Sequence, residues 1–240
     1  MANQPGDEQG RRRALEALHS CPVHAIGQRE KDPLSGDVLT SFPVQLEDNI
    51  FFCGFANEAT FGASSYLIVK PGGNVLVDMP CFYPKLVQGI EKLGGVKYIF
   101  FTHVDDIAGH EEFAKHFGAE RIIHAGERVS SPMEIRIEGT EPVDLADDLK
   151  IIPTPGHTRG SMCLLYHGAL FTGDHLAAGK AGGLTSFRDA CWYSWAEVKK
   201  SNERLLHFDF NGVYPGHGRR YVSADAAMAR ADLLHLLKTS

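Results

Sequence analysis

The sequence lacks the features that mark membrane proteins and nucleic-acid-binding proteins. No apolar run approaches the roughly 20 residues that a membrane-spanning helix requires. The net charge is −6 and the isoelectric point is near 6.0, whereas nucleic-acid binding usually depends on a clustered basic surface. The basic run 11–13 is not followed by the apolar segment of a secretory signal. We therefore expect a cytoplasmic protein with neither a membrane nor a nucleic acid as partner.

Cysteine is scarce and scattered along the chain. The five cysteines contain no C-x-x-C pair, which favours buried thiols in a reducing compartment over disulfides or a thiolate metal site. The segment that begins at Cys21 resembles the last cysteine segment of a bacterial-type ferredoxin. An iron–sulfur cluster needs four closely spaced thiolates, and the other three are missing here. We therefore interpret this segment as a chance match or a vestige.

Length and composition are those of an ordinary globular protein. The chain has 240 residues, 43% of them hydrophobic, and its mean hydropathy is −0.17, so it can bury the core of one large domain. Residues 1–45 begin with a polar stretch that contains Gly and Pro, and we expect a partly loose N-terminal extension there. Residues 46–240 are expected to form the main domain. We treat a homodimer as an open alternative to a monomer.

One stretch, residues 100–110, carries four side chains suited to metal binding or catalysis. The apolar run Val96–Phe101 predicts a buried strand, and the spacing of apolar residues over Ala108–Phe117 predicts a helix. A loop at a strand end is exposed but rigidly anchored, which is where α/β proteins place ligands. The alternative is that an aspartate caps the helix and a histidine lies on its surface. The four side chains are His103, Asp105, Asp106 and His110.

Three later segments repeat this arrangement of an apolar strand, a turn with glycine, and a histidine or aspartate. They carry His157, Asp174 with His175, and His217. Histidine is also frequent, with 12 in the chain, and imidazole is the commonest metal ligand. A metal site needs side chains that converge from separate, rigid elements. Four such strand ends therefore predict a metal site, although one turn alone would indicate little.

These segments resemble the metallo-β-lactamase-fold superfamily of metal-dependent hydrolases. The resemblance rests on the strand that ends at Asp78, on Thr102-His103 and on three turns, which occur in the family's order. It implies an α/β fold, an αββα sandwich in which two mixed β-sheets pack face to face with helices outside. It also implies that His103 and His157 bind a first metal, that Asp174 bridges, and that His217 binds a second. The three turns are Pro155–Ser161, Phe171–His175 and Pro215–Gly218.

The first motif departs from the superfamily pattern, which is His-x-His-x-Asp-His. Read without gaps, this chain has Asp105 in place of the second histidine, and Ile107 and Ala108 in place of the last two ligands. Shifting the alignment by one residue lets Asp106 stand for the family aspartate. His110 lies four residues further on, on the same face of a helix if one begins there. The ligand set of the second metal therefore stays open.

Two alternative arrangements of the metal ligands are compatible with this motif. In the first, one ion is bound by the two histidines of the first position, by Asp174 and by Asp105 or Asp106, and the second position is weak. In the second, His110 and His217 rebuild a two-metal centre. We expect one or two divalent ions, with zinc preferred on family habit and iron or manganese favoured by the extra carboxylates. A degenerate site that binds no metal is the remaining alternative.

The resemblance implies hydrolysis of a small ester, thioester, lactone, amide or phosphoester by a metal-activated water. We assign the role of orienting that water, or of accepting its proton, to Asp106, with Asp105 as the alternative. Asp78 is expected to hold a ligand imidazole in place, and His175 either does the same or lies on the surface. Two other hypotheses stay open: an iron-containing redox or oxygen-handling protein on the same scaffold, and a non-catalytic metal-binding module.

Overall fold

The computed structural model describes residues 4–239, which divide into two units. The first unit contains the chain up to Ile99 and the segment Ala108–Glu120. The second contains Phe100–Ile107 and the chain from Arg121 onward. The domain boundary expected at residue 45 stays a prediction. No helix in the described range is both long enough and apolar enough to cross a membrane.

Among the described residues, the first unit contains four strands and most of a fifth, which lie side by side in chain order. They are β1 (Val44–Glu47), β2 (Ile50–Phe52), β3 (Tyr66–Ile68), β4 (Val75–Val77) and β5 (Tyr98–Phe100). Neighbouring strands from β1 to β4 are antiparallel. β3 and β4 are buried along their whole length, which explains why their sequences are continuous apolar runs. Gly72 and Gly73 lie between them, with φ angles of 85° and 119° that favour glycine.

Four helices belong to the first unit. They are α1 (Glu8–Ser20), α2 (Ser35–Thr40), α3 (Pro84–Lys92) and α4 (His110–Phe117). The side chain of Asp7 caps α1 by accepting a hydrogen bond from the Gly10 amide at 2.6 Å. Leu15 of α1 and Val38 of α2 are buried. The spacing of apolar residues over Tyr83–Leu93 predicts a helix, and α3 begins and ends within one residue of these positions and buries Leu86, Val87 and Ile90.

The second unit contains a parallel pair of strands and a six-stranded sheet. The pair is β6 (Glu120–His124) and β7 (Ile135–Ile137). The sheet contains β8 (Val143–Ala146), β9 (Leu149–Pro153), β10 (Met162–Tyr166), β11 (Ala169–Gly173), β14 (Gly212–Pro215) and β15 (Tyr221–Val222), while β12 (Ala177–Ala178) and β13 (Leu184–Thr185) form a separate pair. The sheet order is β15-β14-β11-β10-β9-β8. β11 and β14 are parallel and their neighbours are antiparallel, so the carboxyl ends of β11 and β14 meet at one edge.

Two helices and an apolar cluster anchor this sheet. The helices are α5 (Trp195–Leu205) and α6 (Ala226–Thr239). α5 begins after Ser194, whose hydroxyl accepts a hydrogen bond from the Glu197 amide at 3.3 Å. The cluster joins strand residues to both helices, and it includes Ile152, Leu170, Val213, Leu205, Ala229 and Leu233. Strand ends fixed in this way give the following loops defined positions.

The strongly apolar elements lie where the sequence predicts them. The sequence predicts a hairpin of Met162–Tyr166 with Ala169–Thr172 and a helix over Trp195–His207. The hairpin of β10 and β11 is confirmed, and so is the helix, because α5 ends two residues before His207. The sequence pattern does not predict α2, β1, β8, β12, β13 or β15. These elements are short, and the residues of β1 and β8 are partly exposed. Their sequences therefore show no hydrophobic periodicity that could be detected.

Candidate metal centre

The loop after β5 carries His103, Asp105 and Asp106 into the second unit. The backbone of His103 is extended, with a φ angle of −165°, and its side chain is buried. One turn of 3₁₀ helix, Val104–Asp106, follows. Because a 3₁₀ helix has three residues per turn, the side chains of Asp105 and Asp106 point about 120° apart. The two adjacent aspartates therefore face different partners.

The helix predicted over Ala108–Phe117 begins two residues late. Gly109 adopts a left-handed conformation, with a φ angle of 86°, immediately before α4. No continuous helix joins Asp106 to His110, so the predicted sharing of one helix face is wrong, because this glycine interrupts the helical backbone between them. His110 is the first residue of α4 and is buried. Its part in a metal site stays a prediction.

His157 lies in the turn Pro155–Ser161, between β9 and β10. The Thr154 amide donates a hydrogen bond across the base of this turn to the Ser161 carbonyl at 2.8 Å. The carbonyl of His157 accepts hydrogen bonds from the amides of Trp192 and Tyr193, at 2.9 and 3.0 Å. The backbone of His157 is therefore held from two sides, which restricts where its buried imidazole points.

Asp174 and His217 follow the parallel strands β11 and β14. The Gly216 amide donates a hydrogen bond to the Gly173 carbonyl at 2.8 Å, which fixes the two strand ends together. Nδ1 of His217 lies 2.8 Å from Oδ1 of Asp174, at hydrogen-bonding distance. A Cβ atom at Gly216 would lie 2.9 Å from Oδ2 of Asp106 and 3.3 Å from Oδ1 of Asp174. Glycine at this position therefore allows two carboxylates to approach the backbone closely.

The first cluster consists of His103, His157 and Asp174, each with a ligand atom within 4.8 Å of the others, and the carboxylate of Asp105 adjoins both imidazoles. Asp105 Oδ2 lies 3.8 Å from Nε2 of His103 and 3.5 Å from Nε2 of His157. Asp174 Oδ2 lies 4.0 and 3.7 Å from the same two atoms. Ligands about 2.1 Å from a tetrahedral ion are roughly 3.4 Å apart. The observed spacings therefore fit a shared cation after a small adjustment.

A buried imidazole nitrogen that has no hydrogen-bonding partner among the described residues supports this fit. Nε2 of His103 is buried and has no hydrogen-bonding partner in the described chain. Leaving a buried polar atom without a partner costs roughly 1–3 kcal/mol, so native structures usually satisfy such atoms or use them. A lone pair directed at a cation accounts for this nitrogen.

The second cluster consists of Asp106, Asp174 and His217, each with a ligand atom within 4.8 Å of the others. Nδ1 of His103 lies 3.8 Å from Oδ2 of Asp106, whereas Nε2 of the same ring faces the first cluster. The two oxygens of Asp174 also face different clusters, Oδ2 the first and Oδ1 the second. The Asp174 carboxylate is therefore common to the two clusters.

Burial and neighbouring charges keep these side chains in their metal-binding protonation states. Burial lowers the pKa of His103 to about 4, although the Asp174 carboxylate opposes this effect. The adjacent His157 lowers the pKa of Asp105. Burial acts to raise the pKa of Asp174, but the hydrogen bond with His217 and the nearby imidazoles outweigh it and lower the pKa overall. Near pH 7 the His103 imidazole is therefore neutral and the two carboxylates are charged, as metal binding requires.

The two residues expected to support the ligands, His175 and Asp78, belong to different units. His175 follows Asp174 in the second unit and is buried, and burial lowers its pKa to about 4. This burial excludes the surface position considered for it. Asp78 directly follows β4 in the first unit, where it is buried with a φ angle of 55°. Their supporting roles stay predictions.

Glu127 is a buried acid that no sequence motif singles out. Its Oε1 atom accepts a hydrogen bond from the Thr158 hydroxyl. The Thr158 hydroxyl lies 2.7 Å from Ser161 Oγ. The same Ser161 oxygen accepts a hydrogen bond from the Thr158 amide at 2.9 Å. A Cβ atom at Gly160 would lie 2.7 Å from Cγ of Glu127, so the acid fits closely against the turn. Glu127 therefore braces the turn that carries His157, and only the buried hydroxyls of that turn hint at such a partner.

We expect Glu127→Gln to be tolerated and to alter how stability depends on pH. Burial raises the pKa of Glu127, although the hydrogen bond from Thr158 partly offsets this effect. A carboxyl group whose pKa is raised by folding binds its proton more tightly in the folded state than in the unfolded state. Its ionisation therefore costs stability as the pH rises past the unfolded pKa. The melting temperature of the variant, relative to wild type, should increase between about pH 4 and pH 7.

Glu127→Ala is the matched control, because it removes the acceptor of the Thr158 hydroxyl as well as the charge. We expect it to lower stability by roughly 1–3 kcal/mol at every pH tested. A glutamine variant that loses stability relative to wild type as the pH rises would contradict the assignment.

Comparison with known proteins places this geometry in a family. The sequence profile of the metallo-beta-lactamase superfamily matches residues 45–225, a range that includes both clusters. The chain belongs to the metallo-β-lactamase superfamily. Divalent metal ions are the cofactors of this superfamily, in agreement with the two groups of histidine and aspartate. The sheets and helices of the two units, together with solved structures of the same fold, confirm the predicted fold class.

Individual members of the superfamily are similar to this chain at moderate identity. A hydroxyacylglutathione hydrolase from Anaeromyxobacter dehalogenans is 32% identical over 117 residues, which is 47% of this chain and 45% of that protein. One from Rhizobium etli is 30% identical over 194 residues, which is 77% of this chain and 70% of that protein. The chain spans about half the length of the first curated relatives that it matches.

A solved structure agrees with the fold. An archaeal metallo-beta-lactamase superfamily protein from Sulfolobus tokodaii aligns with 81% of this chain and 86% of its own, with a TM-score of 0.56. Its sequence identity to this chain is 19%, so the likeness concerns the fold alone.

Proposed function

We propose that this protein is a metal-dependent hydrolase that acts on a small thioester. The first cluster carries the proposal, because two imidazoles and the Asp174 carboxylate converge there at spacings that suit one cation. The thioester is favoured because relatives that align with this chain are named hydroxyacylglutathione hydrolases, which are thioester hydrolases. An ester, lactone, amide or phosphoester is the alternative substrate class.

In this proposal His103, His157 and Asp174 hold the first ion, and the fourth position, beside Asp105, is left for water. Asp174, with Asp106 and His217, holds a second ion, and the assignment of His110 to that position rests on the sequence alone. Zinc is the proposed metal at the first position, where two imidazoles contribute. The second position has two carboxylates and one imidazole, a harder set that also suits iron or manganese.

A divalent cation held there supplies Lewis-acid polarisation of the substrate carbonyl and lowers the pKa of a water molecule. The protein's own groups orient that water and take up its proton. The side chain of Asp105 is 32% exposed, whereas that of Asp106 is fully buried. A proton acceptor must be reachable from the substrate side. The catalytic role that the sequence suggests for Asp106 is therefore assigned to Asp105 in this proposal.

Removal of metal is expected to abolish thioester hydrolysis. Protein purified without added metal should contain a divalent ion, and dialysis against a chelator should lower kcat/KM at least roughly a hundredfold, because water acidification is lost. Zinc or manganese should restore it. Metal content by mass spectrometry and release of free thiol measure the two quantities, and circular dichroism checks that the fold persists.

Other outcomes of this experiment select the other hypotheses. Two irons per chain with a visible chromophore and no hydrolysis would support a redox protein. Bound metal without turnover on any ester or thioester would support a metal-binding module. Hydrolysis that survives complete removal of metal would contradict both the proposed cofactor and the proposed mechanism.

A further inference from the structure

A cavity of about 550 Å³ lies in the second unit, beside the turn that carries His157. Its volume falls within the range of about 300–1,000 Å³ typical of small-molecule sites. Pro155 and Arg159, from the turn, and Tyr193 are among the residues that line it. The Tyr193 amide donates a hydrogen bond to the His157 carbonyl at 3.0 Å. The cavity and the first cluster therefore share one rigid segment of backbone.

Two exposed arginines, Arg128 and Arg159, line this cavity. The guanidinium groups of Arg128 and Arg159 make no ion pair, hydrogen bond or ring contact with any described residue. Two other arginines of the same unit have partners: Arg121 pairs with Glu134, and Arg204 donates to the carbonyls of Thr140 and Pro153. The two unpaired guanidinium groups that line this cavity supply donors of the kind that recognise a carboxylate or a phosphate.

The other polar groups of the cavity do not satisfy these arginines. The carboxylate of Glu197 pairs with Lys200 at 2.7 Å, which leaves Glu138 as the second carboxylate in the lining. His124 accepts a hydrogen bond from the Gly126 amide on Nδ1, and its Nε2 lies 2.8 Å from the Gly139 carbonyl. Both ring nitrogens of His124 are therefore occupied, and the arginines supply the free donors.

We propose that this cavity binds the anionic part of the substrate, and that Arg128 and Arg159 determine specificity for it. The inference rests on the proposed function, since the anion is assigned to the thiol portion of the thioester. A carboxylate or a phosphate on that portion has the same recognition chemistry, because both accept paired hydrogen bonds from a guanidinium group. With the anion held at Arg159, the substrate is tied to the segment that positions His157.

The test compares thioesters that share one acyl group and differ in the thiol. Glutathione supplies carboxylates, phosphopantetheine supplies a phosphate, and N-acetylcysteamine is neutral. With purified full-length protein, Arg128→Gln and Arg159→Gln should each raise KM for an anionic thioester roughly tenfold and leave kcat within about twofold. Values for the neutral thioester should not change. Whichever anionic thioester is affected more identifies the anion as carboxylate or phosphate.

Arg29→Gln is the matched control, because Arg29 is exposed and does not line the cavity. Equal losses on the neutral and anionic thioesters, or no change on either, would overturn the inference while leaving a hydrolase intact. If wild type hydrolyses no thioester, the proposed function fails separately. Calorimetry with S-methylglutathione then tests the cavity without turnover: binding that is absent from wild type, or unchanged in the double variant, overturns the inference.

Discussion

Asp174→Ala is expected to cause the largest loss of metal and activity of any single substitution in this protein. Its carboxylate is common to both clusters, with Oδ2 3.7 Å from His157 Nε2 and Oδ1 2.8 Å from His217 Nδ1. Removing it takes one ligand from each metal position and leaves less negative charge to balance a buried cation. We expect thioester hydrolysis to fall at least roughly a thousandfold, measured as kcat/KM together with metal content.

Two further variants separate loss of ligation from loss of folding. Asp174→Asn keeps the shape of the side chain but lacks the charge, so it should lose metal as well while retaining the circular dichroism of wild type. Asp209→Ala, at an exposed aspartate, should leave metal and activity unchanged. An Asp174→Ala protein that keeps its full metal content would show that the clusters do not ligate metal as we propose.

Gly173→Ala is expected to have the largest effect on stability. Gly173 has a φ angle of 50°, and a Cβ atom there would lie 2.2 Å from Thr102 Oγ1 and 3.1 Å from His103 Nδ1. The left-handed backbone costs roughly 1–2 kcal/mol for alanine, and the clash adds roughly 1–3 kcal/mol. For a chain of this length, the melting temperature should fall by roughly 5–15 °C, as measured by thermal unfolding.

Gly118→Ala separates these two costs. Gly118 has a similar φ angle of 65°, but a Cβ atom there meets nothing within 4 Å. It should therefore show only the backbone cost, roughly 1–2 kcal/mol. Because Thr102 and His103 must move to admit the methyl group, Gly173→Ala should also weaken metal binding, whereas Gly118→Ala should not. Equal losses of stability in the two variants would show that the predicted clash is relieved without cost.

The core strands are predictable from sequence because burial leaves a direct trace. β9, β10 and β11 are almost entirely buried, and their residues form apolar runs bounded by glycine or proline turns. β8 has two exposed and two half-buried residues, and β15 has two residues in all. Neighbouring strands decide whether such segments pair, so local sequence does not reveal them.

The candidate site also has features that the sequence predicts and features that it does not. The turns that carry His157, Asp174 and His217 are recognisable because glycine and a ligand type follow each apolar strand. The distribution of Asp105 and Asp106 between two clusters depends on a single 3₁₀ turn, which the sequence does not distinguish from the start of an α-helix. The brace at Glu127 joins residues 31 positions apart, and such a contact exists only after folding.

The most direct test of the metal centre is anomalous X-ray scattering from crystals of the metal-loaded protein, recorded at the absorption edge of the metal. We expect a peak about 2.0–2.3 Å from His103 Nε2, His157 Nε2 and a carboxylate oxygen of Asp174, with a water ligand on the side of Asp105. A peak located away from these atoms, or no peak in protein shown to be loaded, would contradict the assignment of these residues as ligands.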